Sequence, residues 1–392
     1  MKKMKKFKKG KNNFHRGVGV EYLKRPGIFN PSVFSPSYLP ATLLFREEQM
    51  EKIGRRLSPL LQGDPPAGHL LLFGPAGSGK TAVVQFFLKV LREETKNKGV
   101  RLAYCVADGS SYHIATVLAG LLGVTGVGPR GLSFHEVWEK IEREVGEEVL
   151  VLVLDELDKH LAREEESSLL YFALSRPRTC VVGISNRANL PGMITDYRIS
   201  SRFSPYTIYF PHYTTPQLVG ILKQRVEEAV KPGVVDPELV EYCALKVMQT
   251  WGGNARYALD LLSTSLELVG SSGGQKLTRE HVDQALHQLR EESIYGFINW
   301  LSPPQLALLH VVGSHPGGIE VGKAYEEGGR LLGTRIRPSH YSTFLQGLKE
   351  LRAVEEVGRG RGRGKGVTWM LYLSKELDPA KVVELTRRRL GI

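Results

Sequence analysis

Between about residues 45 and 210, short apolar runs alternate with stretches whose apolar residues recur at helical spacing. That alternation predicts a parallel sheet with helices on its faces. Leu70 to Phe73 is one buried-strand pattern, RLAYCVADGSSY from residue 101 carries a second, and TCVVGISN at 179–186 is a later one. VLVLVL at 149–154 is apolar at every position, as a strand covered on both faces must be, and it runs straight into the acids of DELD. Ahead of it, Ser133 and Glu136 form a capping-box pattern, followed by Val137, Trp138, Ile141 and Val145 on one helical face.

From about 212 to 292 the strand signals vanish and helical periodicity takes over. Thr214 with Gln217, and Thr278 after the Gly/Ser-rich stretch 270–274, are the predicted helix starts. Past a boundary near Ser293 come three helical patterns: Pro304 to Val312 behind Ser302, Val321 to Leu332, and Ser339 to Leu351. The third places Tyr341, Phe344, Leu345, Leu348 and Leu351 on one face. A strand at Ala353 to Val357 and another in VTWMLYL, where Val367, Trp369, Leu371 and Leu373 alternate, complete a winged helix-turn-helix pattern. The residues before about 35, basic and then rich in Pro, Ser and Asn, predict a mobile arm. The expected domains are thus 1–35, 36–211, 212–293 and 294–392, and no internal repeat is visible.

Composition changes this picture in one respect. The chain has 392 residues with 42% apolar and 24% charged, ordinary for globular domains, but a net charge of +12. Residues 1–16 carry +8 and residues 295–392 carry +6, which leaves the long middle at −2. Positive charge therefore sits at the two ends, where an acidic partner is expected. Three widely spaced cysteines, Cys105, Cys180 and Cys243, offer neither a disulfide framework nor metal-ligand spacing, which fits a reducing cytosol. The opening MKKMKKFKKGKNNF has charges where a secretion signal needs its apolar segment, and no apolar run approaches a membrane span.

The strongest chemical signal is GPAGSGKT, comprising Gly74, Pro75, Ala76, Gly77, Ser78, Gly79, Lys80 and Thr81. Its glycines permit a tight loop whose N–H groups cradle phosphates at a helix N-terminus. Lys80 then reaches the outer phosphates and the Thr81 hydroxyl binds Mg²⁺. A strand precedes this loop and an amphipathic helix bearing Val84, Phe87, Leu88 and Leu91 follows it. Such a loop needs a second carboxylate for its metal, which Asp155 supplies, while Glu156 is suited to polarise the attacking water. Asn186 is a candidate for orienting that water or touching the terminal phosphate. Asp158 receives no role. Arg256, beginning a helix in GGNARYALDLL, and Arg202, in ISSRF, are candidates for transition-state charge.

With these pieces in this order, the chain resembles AAA+ ATPases, and more narrowly the archaeal initiators akin to the origin recognition complex and the cell-division-cycle-six loader. The resemblance runs from about residue 38 to the end. Walker A is GPAGSGKT, Walker B is VLVLDELD, sensor 1 is Asn186, the arginine-finger box is ISSRF with Arg202, and sensor 2 is GGNAR with Arg256. YLPATLLFREEQMEKI matches the family's entry helix beside the adenine through Pro40 and Arg46. The implied fold class is α/β: an AAA+ P-loop NTPase parallel-sheet domain, a small helical lid domain and a C-terminal winged helix-turn-helix domain. Implied catalytic residues are Glu156, Asn186, Arg202 and Arg256, and the implied cofactors are ATP or ADP with Mg²⁺ on Thr81 and Asp155. The second strand lacks the family's Asn, and sensor 2 reads GGNAR where GDAR is usual, which mark a divergent member.

The resemblance also gives a use to GRGRGRGKG at 358–366. A winged helix lays its third helix in the major groove and its hairpin across the backbone, so Arg359, Arg361, Arg363 and Lys365 are expected in a narrow minor groove. Arg335, Arg337, Ser339, His340 and Ser342 are candidates for phosphate and base-edge contacts. The family's DNA-contacting insertion would fall near 109–135, where Arg130 is the sole Lys or Arg. The implied activity is slow, switch-like ATP hydrolysis. The implied partners are origin duplex DNA, the replicative minichromosome maintenance helicase and paralogous initiator subunits, with no membrane, in a cytoplasmic, nucleoid-associated setting. Two further readings stay open at this point: a DNA-binding regulator whose nucleotide is mainly structural, and a clamp-loader-like motor.

Overall fold

The structure is a computed structural model and describes residues 28–128, 131–162, 168–333, 338–360 and 367–392. The chain separates into two compact units, Met1–Val282 and Asp283–Ile392. In the first, helix α1 (Glu47–Leu57) leads to β1 (Leu70–Phe73), α2 (Lys80–Glu94), β2 (Val100–Val106), α3 (Ser111–Leu121), α4 (Phe134–Val145), β3 (Val149–Asp155), α5 (Leu157–Leu161), α6 (Ser168–Ser175), β4 (Thr179–Ser185), α7 (Tyr197–Ser200) and β5 (Tyr206–Tyr209). The five strands form one parallel sheet in the order β2-β3-β4-β1-β5, with Leu72 paired to Ile184 on one side and Ile208 on the other.

Strand alternation divides the β3 run between two cores. Leu150, Leu152 and Leu154 pack with Ile114, Leu118, Trp138 and Ile141 of α3 and α4. Val149, Val151 and Val153 pack on the opposite face with Ile53 and Leu57 of α1 and with Val84 and Leu88 of α2. Every residue of β3 is buried, as its unbroken apolar run requires. The capping box of Ser133 and Glu136 is present, with the Ser133 N–H donating to Glu136 Oε2 at 2.6 Å. β5 is the strand with no clear counterpart in the pattern, because only Ile208 of its four residues is buried. Since β1 lies between β4 and β5, the loop leaving β1 emerges at the carboxyl edge beside the ends of β3 and β4, where open α/β sheets bind ligands.

Helices α8 (Thr215–Ala229), α9 (Pro237–Trp251) and α10 (Ala255–Ser271) follow in the same unit. Leu222, Val247, Leu262 and Leu266 are among their fully buried side chains. The arm expected over residues 1–35 is corrected at its end. Ile28 O accepts from Lys231 N at 3.0 Å, Asn30 N donates to Ala229 O at 2.8 Å, and Val33 and Phe34 are buried. Apolar residues at these positions turn residues 28–34 into a strap on the lid helix, and residues 1–27 lie outside the described set.

The division between the units falls inside α11 (Arg279–Tyr295), ahead of the boundary expected at 293. Its C-terminal half joins the second unit through Glu291, 3.4 Å from Lys381, and through the Tyr295 hydroxyl, which accepts from Asp378 N at 3.2 Å. The second unit continues with α12 (Pro303–Gly313), β6 (Ile319–Glu320), α13 (Val321–Leu331), α14 (Pro338–Glu350), β7 (Val354–Gly360), β8 (Val367–Leu373) and α15 (Pro379–Leu390). This is the expected winged helix with two additions. β6 pairs with β8 to make a three-stranded sheet, and α15 packs Val382 into the core formed by Leu308, Leu309, Leu348 and Leu371. The expected apolar faces are also trimmed, since Leu351 is 47% and Trp369 52% exposed. Among the described residues, no helix is long and apolar enough to cross a membrane.

Candidate functional site

The phosphate loop joins β1 to α2, and its glycines are there for close approach. Gly77 has φ +71, and a Cβ on it would lie 1.8 Å from Asn254 Oδ1 of the lid. A Cβ on Gly79 would lie 2.5 Å from the Tyr213 hydroxyl. The loop also accepts a hydrogen bond from the lid, Ala255 N to Gly77 O at 3.1 Å. Asn254 caps α10 by accepting from the N–H groups of Arg256 and Tyr257. This places Arg256 at a helix N-terminus near Lys80, close enough to push the pKa of that lysine down.

Lys80 is buried and donates to Gly74 O at 2.7 Å, Pro75 O at 2.8 Å and Asn186 Oδ1 at 3.0 Å. The structure thus brings Lys80 and Asn186 together across the β1 and β4 ends. Burial lowers the Lys80 ammonium from 10.5 to about 8, against the pull of Asp155 and Asp158. A polyphosphate requires the charged form. As pH rises through about 8 the free protein loses that proton, so ATP affinity is expected to fall about tenfold per pH unit until the higher pKa of the complex is reached. Calorimetric titrations between about pH 7 and pH 9.5 check this. A flat profile would remove Lys80 as the titrating group, and Lys80→Arg, always charged, is expected to abolish the slope.

Asp155 ends β3 and is 7% exposed. Thr81 Oγ1 donates to Asp155 Oδ2 at 2.8 Å, and the Tyr104 hydroxyl of β2 donates to the same oxygen at 2.9 Å. Burial, and then the Asp155 charge, push the Tyr104 hydroxyl above its ordinary range, so it stays a donor. Glu156 sits in the left-handed region at φ 57, and its carboxylate pairs with Lys159 at 2.6 Å. Such backbone strain costs about 1–3 kcal/mol in a non-glycine residue and collects at functional sites. Asp158, buried and without a sequence-based role, accepts from Asn186 N at 3.2 Å, so it seats the strand end that carries Asn186.

Arg46 is 2% exposed and ties three elements together. It donates from Nε to Ser78 O at 2.8 Å and from a terminal nitrogen to Pro211 O at 2.7 Å, and it lies 3.7 Å from the Tyr213 ring centroid. Pro40 is buried upstream of it. Arg202 stands apart: it is exposed, bonds Ser175 Oγ and lies over the Tyr171 ring, and among the described contacts it has none with the phosphate loop. The sequence reading missed Tyr104, which bonds Asp155, Lys159, which pairs with Glu156, and Tyr213 and Asn254, which stand against Gly79 and Gly77 of the loop. Asn254 alone carried a local signal, as a helix-capping residue ahead of ALDLL.

A nucleotide with its magnesium ion suits these residues. Three positive-φ glycines at 74, 77 and 79 expose backbone to phosphate, Lys80 supplies a cation, and Thr81 with Asp155 offers the hard oxygen donors that Mg²⁺ selects.

In the second unit, β7 pairs antiparallel with β8 up to Gly360 opposite Val367, so the GR strip enters the ladder further than its expected end at Val357. Arg359 stands opposite Thr368. Arg361, Arg363 and Lys365 lie outside the described residues, as do Arg130, Arg335 and Arg337. Ser339 and His340 belong to the first turn of α14. Ser342, Thr343, Gln346 and Glu350 are exposed along one side of that helix, Gln346 donating to Glu350 at 3.2 Å. Gln346 and Thr343 are further candidates for base contact that the sequence reading did not name. In the 109–135 stretch, α3 turns Ile114, Ala115, Leu118 and Ala119 into the sheet core.

Comparison with known proteins agrees with this architecture. Residues 64–184 match the family described as AAA domain, and residues 219–287 match the Cdc6 AAA+ ATPase-type lid domain. The ORC1-type DNA replication protein of Methanothermobacter thermautotrophicus is 36% identical over 377 residues, 94% of this chain and 99% of that protein. ORC1-type DNA replication protein 1 of Aeropyrum pernix is 31% identical over 351 residues, 84% of this chain and 88% of the relative. The solved structure of the Aeropyrum pernix ORC1 protein in complex with DNA superimposes with a TM-score of 0.79 at 29% identity, covering 92% of this chain and 97% of that one. A phosphate loop backed by Asp155, a lid that seats Arg256 and a terminal winged helix, with relatives matched along nearly their whole length, place this chain in the family of ORC1-type DNA replication proteins, nucleotide-binding members of the AAA+ ATPases.

Proposed function

We propose that the protein is a replication initiator that binds origin duplex DNA under ATP/ADP control and helps load the replicative minichromosome maintenance helicase, acting on the nucleoid in the cytoplasm. What carries this reading is the union in one chain of a hydrolysis-competent constellation (Lys80, Asp155, Glu156, Asn186) with a winged helix whose hairpin bears the GR strip. The DNA-bound state of the 29% identical Aeropyrum relative supports the DNA half of it.

Mg²⁺, when held by Thr81 and Asp155, would neutralise charge on the phosphates. Glu156 accepts the proton of the attacking water, with Lys159 keeping its carboxylate in place. Asn186 holds that water or the terminal phosphate, and Lys80 leaves its loop carbonyls for the phosphate oxygens. Arg256 approaches from the lid in the same subunit. Arg202, exposed and with its described contacts at Ser175 and Tyr171, is suited to complete the site of a neighbouring initiator subunit. Pro40 and Arg46 shape the adenine side, Arg46 by fixing the loop at Ser78 O.

DNA sheared from the source organism, incubated with protein and ATP at near-physiological salt and sequenced after retention, tests the reading. Sharp enrichment at one or a few loci is the expected outcome. Uniform retention across the genome would reduce the winged helix to phosphate affinity and remove origin recognition.

A further inference from the structure

The second strand raises a question that nucleotide binding by the loop leaves open. It lacks the Asn expected there, and it places Tyr104 beside the Walker B acid instead. Parallel pairing sets Tyr104 opposite Val153 and Val106 opposite Asp155, so Tyr104 shares the sheet face of Asp155 and of the helix that follows the phosphate loop. On that helix, Gln85 lies one turn beyond Thr81, with its side chain beside the Tyr104 hydroxyl. The hydroxyl in turn donates to Asp155 Oδ2 at 2.9 Å. Thr81 Oγ1 donates to the same oxygen at 2.8 Å, and Glu156 N donates to Oδ1 at 2.9 Å.

Of these three donors, two belong to nucleotide-site residues themselves. A threonine hydroxyl that ligates a metal turns its lone pair to the ion, and the Glu156 N–H is fixed by the backbone. Tyr104 is the donor from outside the site, on an edge strand with no other task at the phosphates. Partners of this kind orient a ligating carboxylate, and their loss typically weakens metal affinity by 10–100-fold.

We propose that Tyr104, seated by Gln85, is a positioning residue that fixes the Asp155 carboxylate for the divalent cation of the nucleotide. The proposal rests on the assignment of Thr81 and Asp155 to that cation. It makes the β2 tyrosine a determinant of how much Mg²⁺ the protein needs to distinguish a metal-bound nucleotide from a bare one.

The test is a fluorescent-ADP titration against increasing Mg²⁺, run on the full chain and on Tyr104→Phe, Gln85→Leu and Asp155→Asn, with parallel titrations in EDTA. Tyr104→Phe is expected to raise the half-saturating Mg²⁺ concentration about 10–100-fold while the affinity in EDTA and the melting temperature stay at wild-type values. Gln85→Leu is expected to shift it in the same direction by less. Excess Mg²⁺ is expected to restore ATP turnover in Tyr104→Phe. An unchanged Mg²⁺ midpoint in Tyr104→Phe beside a shifted one in Asp155→Asn overturns the positioning role and leaves the metal assignment standing. A midpoint shared by all four proteins overturns both. A Tyr104→Phe protein that loses affinity equally with and without Mg²⁺ shows a packing role and overturns the proposal.

Discussion

Glu156→Gln is expected to lower the ATP turnover rate by about 10²–10⁴-fold, the usual share of a positioned general base, while ATP remains bound. The amide keeps the size and backbone requirement of the residue, including the left-handed φ of 57 and the N–H that donates to Asp155 Oδ1 at 2.9 Å. What it loses is the ability to take a proton, together with the ion pair that Lys159 makes at 2.6 Å. Lys80, Thr81 and Asp155 are untouched, so the phosphate contacts survive. Single-turnover hydrolysis beside equilibrium ATP binding separates the two effects. A variant that hydrolyses ATP at the wild-type rate would remove Glu156 as the base, and one that fails to bind would show that the carboxylate and its Lys159 ion pair hold the site open rather than act in hydrolysis alone.

Which parts of the molecule were legible in the sequence follows from how far apart the interacting residues lie. β3 and the phosphate loop could be read because their physics is local: an unbroken apolar run forces burial on both faces, and glycines at fixed offsets force a loop that backbone alone can line. The capping box at Ser133 and the helix starts at Thr214 and Ser302 were visible for the same reason, and the structure closes a capping box at each within four residues. What escaped depends on residues far apart in the chain. β5 has one buried side chain and exists because β1 offers it a ladder. β6 is two residues long and is defined by its pairing with β8. The strap at 28–34 is ordered by the end of α8, some 200 residues later. At the site, Tyr104 and Tyr213 sit in no motif of their own; they matter because the sheet and lid carry their hydroxyl and ring to Asp155 and Arg46. Motif order therefore names the residues that touch phosphate, and the fold names those that hold them there.

Replacing Arg361, Arg363 and Lys365 together with Ala is expected to weaken duplex DNA binding about 10²-fold near 0.15 M salt. Each phosphate contact steepens the fall of log K with log salt by about 0.9, so three lost contacts make that fall shallower by nearly three. The ladder of β7 and β8 carries Arg359 opposite Thr368 and Gly360 opposite Val367, and the three substituted residues fall between these two strands in the sequence. The hairpin's own strands contribute Leu371 and Val354 to the core, and these side chains are left in place by the substitutions, so the unit is expected to fold unchanged. ATP binding is likewise expected to be unaffected, because none of the three residues belongs to the phosphate-loop site. A salt series on wild-type and triple-variant protein, with origin and scrambled duplexes, distinguishes the two ways the strip can act. Equal loss on both duplexes marks simple phosphate contact, whereas a larger loss on the origin duplex marks arginines that read a narrow minor groove, because the width of that groove is a property of sequence. Wild-type affinity and slope in the triple variant would remove the wing from DNA binding altogether and leave α14, with Gln346 and Thr343 exposed, to carry recognition.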